Sequence, residues 1–137
     1  MSKYNAKKTT IGAITFDSKA ESEFYLELKR LERLGDVEIL EIQPKIHLTN
    51  AKILYKPDFK VRHKSGLVEY IDVKGFQTAV FAIKKRLWAH YGPGVLAIIK
   101  KTKSGFKRVE EVHQKGTPTL GVVGDSVQIP INAPGVA

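Results

Sequence analysis

The sequence contains no cysteine and only four histidines, and these absences exclude several kinds of site. Without cysteine there is no disulfide framework, no thiolate zinc site and no thiol nucleophile. The histidines are scattered and do not follow the H-x₃₋₅-H spacing of a zinc-binding motif. None has a carboxylate neighbour in the sequence that marks a catalytic base, so we assign no role to any of the four: His47, His63, His90 and His113.

Long apolar runs are also missing. The longest are about five residues, such as VLAII at 95–99, whereas a membrane-spanning helix needs about twenty. The N-terminal MSKYNAKKTT is polar and lacks the apolar region of a secretory signal. A chain of 137 residues can bury a core without disulfides. We therefore expect a single-domain, soluble, cytoplasmic protein that does not enter a membrane.

Positive charge is what the sequence has in excess. It carries 23 Lys and Arg against 14 Asp and Glu, a formal net charge of +9, which indicates a polyanionic partner, nucleic acid first. Residues 78–109 contain eight basic residues and no acid, whereas the acids crowd into 17–41. This layout favours one basic face over the alternative, a solvated basic surface without a specific partner. The N-terminal arm adds Lys3, Lys7 and Lys8.

The hydrophobic pattern predicts an α/β domain with a mixed β-sheet flanked by helices, in the order α-β-β-β-α-β. We expect a flexible basic arm over 1–10, the folded domain over 11–115, and a Pro/Gly-rich tail or dimer arm over 116–137. The stretch 106–112 fits either a strand or a short helix. The main predicted elements are helices at 18–34 and 79–91 and β-prone runs at 37–42, 53–63, 67–75 and 95–102.

Both predicted helices have an apolar face. In the first, Ser18 and Glu21 fit a capping box and Gly35 fits a C-terminal stop. Its apolar residues recur at steps of three and four: Ala20, Phe24, Leu28, Leu31 and Leu34. In the second helix we expect one face to meet the core, formed by Val80, Ile83, Leu87 and Tyr91, and we also expect Trp88 to be in the core.

The stretch EYIDVKG at 69–75 places Asp72 and Lys74 inside a β-prone run, and the partner strand carries Asp58. A hairpin over 56–74 with a three-residue loop ending in Gly66 sets Asp58 opposite Asp72. By alternation, Lys74 lies on the same face as these two carboxylates, and the opposite face is apolar. Glu69 falls on that apolar face, so we expect it at a frayed edge.

Two carboxylates directly opposite each other repel, so a positive charge must lie between them. Lys74 is one candidate, and a divalent cation is the other, since hard cations bind carboxylate and carbonyl oxygens. The backbone carbonyl of Val73 would add a third oxygen ligand. Pairing alone leaves a salt-bridged cluster and a metal site equally open.

The sequence has a more specific pattern, PD at 57–58 followed by DVK at 72–74 on two adjacent strands. This resembles the PD-(D/E)XK nuclease superfamily, with Glu21 of SKAESEF in the place of that superfamily's helix acid. The resemblance covers roughly residues 12–102 and implies a restriction-endonuclease-like core. The pattern S-K-x-E…Y-x-P-D-F…Y-I-D-V-K-G is also similar to that of small phage nucleases that resemble Holliday-junction resolvases.

The resemblance implies a metal-dependent DNA endonuclease. Asp58, Asp72 and the Val73 carbonyl would hold Mg²⁺ or Mn²⁺, which would polarise the scissile phosphate and acidify a water. Lys74 would orient the attacking water and offset charge on the phosphate. Glu21 would bind a second metal ion or one of its waters, although a purely capping role with Ser18 is the alternative.

The same resemblance implies a homodimer that acts on branched DNA, because resolving a four-way junction needs two symmetric cuts. Candidate DNA contacts are Lys84, Lys85, Arg86, Lys3, Lys7, Lys8 and Gln43. Each has an alternative without DNA. Lys84 would extend its stem along the edge of the core and keep its charge in water, Lys85 and Arg86 would be ordinary surface charges, and Gln43 would be a polar residue at a strand end. The competing functions are a nicking, restriction-like or repair nuclease of the same fold, or a catalytically silent basic DNA-binding module.

Overall fold

A computed structural model of the protein describes residues 8–114, which form a mixed five-stranded sheet between two helices. The sheet has the strand order β3-β6-β7-β8-β9. Two short hairpins, β1-β2 and β4-β5, lie outside it. The helices are α1 (Lys19–Arg33) and α2 (Ala79–Tyr91). The strands are β1 (Thr9–Ile11), β2 (Ile14–Phe16), β3 (Val37–Ile42), β4 (Ile46–His47), β5 (Leu54–Tyr55), β6 (Phe59–His63), β7 (Val68–Val73), β8 (Val95–Thr102) and β9 (Gly105–Val112).

The connectivity is that of an α/β domain, as predicted. Strands β7 and β8 are parallel and are joined through α2, whereas the other neighbouring pairs of the sheet are antiparallel. The stretch that fits either a strand or a helix is strand β9, which forms one edge of the sheet. The six predicted elements occur in the predicted order, with the β1-β2 hairpin before them and β9 after them. The predicted strand run 53–63 is divided, because Leu54–Tyr55 pair with β4 and Phe59–His63 join the central sheet.

Each face of the sheet has its own apolar core. On one face α1 contributes Phe24, Leu28 and Leu31, which pack against alternate residues of the central strands such as Phe59 and Ile71. On the other face Phe81 and Trp88 of α2 pack against a second set that includes Leu96 and Ile98. Strand β7 is therefore covered on both sides, which explains why five of its six residues are buried.

The predicted core face of α2 was wrong for three of its four residues, whereas Leu87 packs against the core and Trp88 lies in it, as predicted. Val80, Ile83 and Tyr91 are 61%, 53% and 58% exposed, whereas Phe81 and Trp88 are buried. The sequence AVFAIKKRLWAHY has apolar residues on more than one side, so its periodicity does not select a single face. The two large aromatic rings bury more apolar area than the aliphatic residues do, and Trp88 Nε1 also donates a hydrogen bond to Gly94 O at 2.6 Å.

The predicted flexible arm extends too far into the domain, because Thr9–Ile11 pair with Ile14–Phe16 as a hairpin. Gly12, with φ +62°, makes the tight turn between these β-prone triplets. Lys3, Lys7 and the predicted tail 116–137 lie outside the described residues. Within residues 8–114, neither helix is long and apolar enough to cross a membrane.

Candidate active site

The predicted hairpin brings Asp58 and Asp72 together at one end of the central sheet. Its register is confirmed by the pairs Phe59↔Ile71 and Arg62↔Val68, with Gly66 at φ +96° closing the loop. Asp58 lies just before β6, where its N–H donates to Ile71 O at 2.9 Å. Its carboxylate Oδ2 accepts a hydrogen bond from Val73 N at 2.7 Å. The backbone of β7 thus fixes the orientation of Asp58.

Asp72 is 1% exposed, and its two oxygens have different surroundings. Oδ2 accepts a hydrogen bond from the hydroxyl of Tyr55. Oδ1 has no hydrogen-bond partner, although Lys74 Nζ lies 3.3 Å away as an ion pair. The Lys74 ammonium lies 4.5 Å from the centre of the Phe81 ring. The predicted grouping of Asp58, Asp72 and Lys74 is therefore present.

Glu21 joins this group from the start of α1. Ser18 caps the helix by accepting a hydrogen bond from Glu21 N at 3.0 Å, as predicted. The Glu21 side chain is nearly buried, accepting from Asp17 N at 3.2 Å through Oε1 and from Gln43 Nε2 at 3.1 Å through Oε2. The helix start thus faces the site, so capping and a role in the site are compatible.

Gln43 lies at the site rather than being only a polar strand end. It adopts φ +55°, and its N–H donates to Asp58 O at 2.7 Å while its side chain donates to Glu21. This unusual backbone conformation at the end of β3 links the Glu21 and Asp58 segments. Gln43 therefore positions two of the carboxylates.

Burial raises the pKa of all three carboxyl groups. For Asp58 the rise is large, because the negative charges of Asp72 and Glu21 add to the effect of burial. Burial also raises the pKa of Asp72 against the opposing effects of Lys74 and Tyr55, and that of Glu21 against its hydrogen bond from Gln43. The ammonium of Lys74 lowers the pKa of Asp58 and Asp72 but does not contribute for Glu21, so the fully ionised cluster of three carboxylates would carry excess negative charge.

This arrangement fits a divalent cation in its donor chemistry. No group of three or more His, Asp or Glu side chains within residues 8–114 is placed to hold a metal ion by itself. The Oδ1 of Asp72, which lacks a hydrogen bond, and the neighbouring Asp58 carboxylate are nevertheless oxygen donors of the kind that Mg²⁺ and Mn²⁺ prefer. A bound cation would also balance the excess negative charge.

Sequence reasoning missed Tyr55 as a residue of the site. Its ring is buried between Phe81 and Trp88, and its hydroxyl donates to Asp72. Burial, followed by the charge of Asp72, raises the pKa of Tyr55, so the hydroxyl remains a hydrogen-bond donor. A buried tyrosine needs a partner for its hydroxyl, and its position three residues before Asp58 was the available signal.

The candidate DNA contacts have different surroundings. Lys84 is half-buried, with Nζ 5.9 Å from the centre of the Tyr55 ring. Lys85 forms an ion pair with Glu110 at 2.8 Å, whereas Arg86 and Lys8 are exposed. The basic stretch 78–109 is thus partly neutralised by distant acids, since Lys101 and Arg108 also pair with Glu23 and Glu69.

Glu69 was wrongly expected at a frayed edge; it is fully buried. Arg108 donates to both of its oxygens, at 2.9 and 3.0 Å, and His63 Nε2 lies 2.5 Å from Oε2. Burial raises the pKa of Glu69, but its bonds to His63 and Arg108 outweigh burial and lower the pKa overall. His63 therefore has a carboxylate partner that its sequence neighbours did not reveal, because β6 and β7 pair in the sheet.

Comparison with known proteins identifies the family. Residues 1–104 match the profile of a family described as "Protein of unknown function (DUF1064)". Because this match covers well over half of the chain, the chain belongs to that family. No curated protein and no solved structure matches the chain.

Proposed function

We propose that this DUF1064 protein is a metal-dependent DNA endonuclease with a restriction-endonuclease-like core. The observation that carries the proposal is the buried Asp72, whose Oδ1 lacks a hydrogen bond beside a second carboxylate, Asp58. Burying uncompensated carboxylates is costly, and such sites are typical of catalysis or ion binding. The PD…DVK pattern and the net charge of +9 support DNA as the substrate.

The residues of the site would have different roles in phosphodiester hydrolysis. Asp58, Asp72 and the Val73 carbonyl would hold Mg²⁺ or Mn²⁺, with Glu21 as a further ligand or water-binding residue. When bound, the metal would supply Lewis acidity toward the scissile phosphate. Lys74 would donate to the attacking water or to a phosphate oxygen, where its charge offsets that of the transition state. Gln43 and Tyr55 would hold Glu21 and Asp72 in place.

The substrate we favour is branched DNA, cut by a homodimer. Support for this comes from the resemblance to junction-resolving nucleases and from the small size of the domain. The described part of the chain also lacks a helix-turn-helix pair that would read base edges in the major groove. Two copies related by a twofold axis would make the paired cuts that a four-way junction requires.

The test is cleavage of a synthetic four-way junction and a matched linear duplex with Mg²⁺, Mn²⁺ or EDTA. Asp72→Asn would be assayed beside wild type, with Glu38→Gln as a control, because Glu38 is an exposed carboxylate paired with Arg62. We expect paired, metal-dependent nicks in the junction, lost in Asp72→Asn and kept in the control. Cutting of both substrates would retain the nuclease and reject branch specificity. DNA binding without any cutting would instead favour the silent binding module.

A further inference from the structure

A cleft of about 350 Å³ opens beside the candidate active site, between β5 and the start of α2. Lys74 forms part of its wall, so the cleft is continuous with the group around Asp72. Its lining includes the buried rings of Tyr55 and Phe81 and the helix-capping Thr78. It also includes two further lysines, Lys56 and Lys84, and no acidic residue.

The charges of Lys56 and Lys84 are not balanced by any carboxylate within residues 8–114, where neither lysine forms an ion pair. The next residue along α2, Lys85, shows the contrast, because it is held by Glu110. Lys84 is instead half-buried over the Tyr55 ring, and Lys56 is exposed at the rim. Lys74 is already paired with Asp72, but two ammonium groups without an ion pair on one cleft attract an anion, and a phosphate is the anion that a nuclease substrate supplies.

We propose that this cleft binds a backbone phosphate of the substrate strand, adjacent to the phosphate that is cut, through Lys56 and Lys84. This inference rests on the proposed function, in which the phosphate that is cut lies at Lys74. The phosphate in the cleft would be the next one along the same DNA strand. The volume is at the lower end of that of small-molecule pockets, which suits one phosphate with its sugar and excludes a duplex. The cleft thus holds one strand of the substrate and leaves the partner strand outside.

The experiment measures DNA binding in EDTA, so that it does not depend on cleavage. Affinity for a fluorescent junction and a single strand is followed as a function of salt for wild type, Lys56→Gln and Lys84→Gln. The matched control is Lys64→Gln, an exposed lysine in the β6–β7 loop at the opposite end of the hairpin. We expect each cleft substitution to reduce the slope of log affinity against log salt by about 1, and the control to leave it unchanged.

A second measurement locates the phosphate. Single neutral methylphosphonate linkages are placed in turn along the strand around the cut. We expect one linkage, next to the cut, to weaken wild-type binding about tenfold, because a charged hydrogen bond is lost, and to have little effect on the Lys56→Gln/Lys84→Gln double variant. Thermal unfolding of each variant checks that the fold is intact.

The outcomes separate the two proposals. The phosphate site is supported if the cleft variants have a smaller salt slope and if one methylphosphonate linkage weakens binding by wild type but not by the double variant. That result stands even if no metal ion produces cleavage and the nuclease proposal fails. The phosphate site is overturned if the cleft variants have the same salt slope as Lys64→Gln, or if each methylphosphonate linkage affects them as it affects wild type. Metal-dependent cleavage could still be observed in that case, and the nuclease proposal would stand. Absence of any nucleic-acid binding by wild type would overturn both.

Discussion

Strand β7 carries two buried carboxylates three residues apart, Glu69 and Asp72, which face opposite sides of the sheet. Glu69 is held by both Nη atoms of Arg108 and by His63, and its pKa is lowered. Asp72 has one hydroxyl and one ammonium beside it, its Oδ1 lacks a hydrogen bond, and its pKa is raised. The two residues are equally buried and differ in how completely their charge is balanced.

The difference distinguishes a structural carboxylate from a candidate functional one. A buried charge that is fully paired and hydrogen-bonded contributes to a defined packing arrangement. A buried charge with too few partners lowers the stability of the fold, and such charges are typical of functional sites. Burial alone would have marked both residues as equivalent. The number and charge of the partners around each carboxylate therefore separate the candidate functional residue from the structural one.

The largest effect is expected on cleavage. Asp72→Asn should reduce the metal-dependent cutting rate at least about 10³-fold, because it removes a charged oxygen donor from the proposed metal site. Glu69→Gln, measured as rate per folded molecule, should stay within a few-fold of wild type. Single-turnover cleavage of the four-way junction checks both. Equal losses in the two variants would remove the functional distinction between the two sites.

The second expectation concerns stability. Arg108→Met should lower the free energy of unfolding by about 3–5 kcal/mol, because it leaves Glu69 buried without its cation. Lys107→Met on the same strand serves as the control, since Lys107 is exposed. Urea unfolding followed by circular dichroism measures the difference. A loss below about 1 kcal/mol would mean that the Glu69 cluster does not stabilise the fold.

Tyr55→Phe tests how Asp72 is positioned. The substitution keeps the ring between Phe81 and Trp88 and removes only the hydroxyl that donates to Asp72. We expect Mn²⁺ affinity to fall about 10- to 100-fold, as for other residues that orient metal ligands. Isothermal titration calorimetry gives the affinity without depending on cleavage. Unchanged affinity with a lowered melting temperature would assign Tyr55 a packing role only.

The smallest effect is expected in metal-free protein, where Asp72→Asn should raise the melting temperature by a few degrees at neutral pH. The pKa of Asp72 is raised on folding, so its contribution to stability is present below the unfolded pKa of about 3.9 and is lost as pH rises through the folded value. The gain from Asp72→Asn should therefore grow with pH. Melting curves in EDTA from pH 4 to 8 would show it, and a gain that shrinks with pH would contradict it.

Glu69 should show the opposite dependence in the same scan. Its pKa is lowered on folding, so its stabilisation is present above the unfolded pKa of about 4.3 and is lost as pH falls through the folded value. The stability cost of Glu69→Gln should accordingly be largest at neutral pH and should decrease in acid. A cost that does not change with pH would indicate that the pairing with Arg108 and His63 is not electrostatic.

Local sequence patterns determined the parts of this protein that depend on neighbours in the chain. The register of β6 and β7 follows from the three-residue loop ending in Gly66 and from strand alternation, and it brings Asp58 and Asp72 together. The cap at Ser18 and the ends of α2 were predictable for the same reason. The face of α2 was not, because its periodicity allowed more than one apolar side.

Tertiary structure alone decided which buried charges are balanced. Arg108 reaches Glu69 across 39 positions of the chain, and Gln43 reaches Glu21 across 22, so neither pairing has a local signal. These contacts depend on the strand order β3-β6-β7-β8-β9 and on the crossover through α2, which a single sequence does not specify. The sequence by itself thus determined where the carboxylates of the candidate site lie. The fold decided that one oxygen of Asp72 lacks a hydrogen bond while both oxygens of Glu69 have one, because charge balance in a buried site depends on every element packed around it.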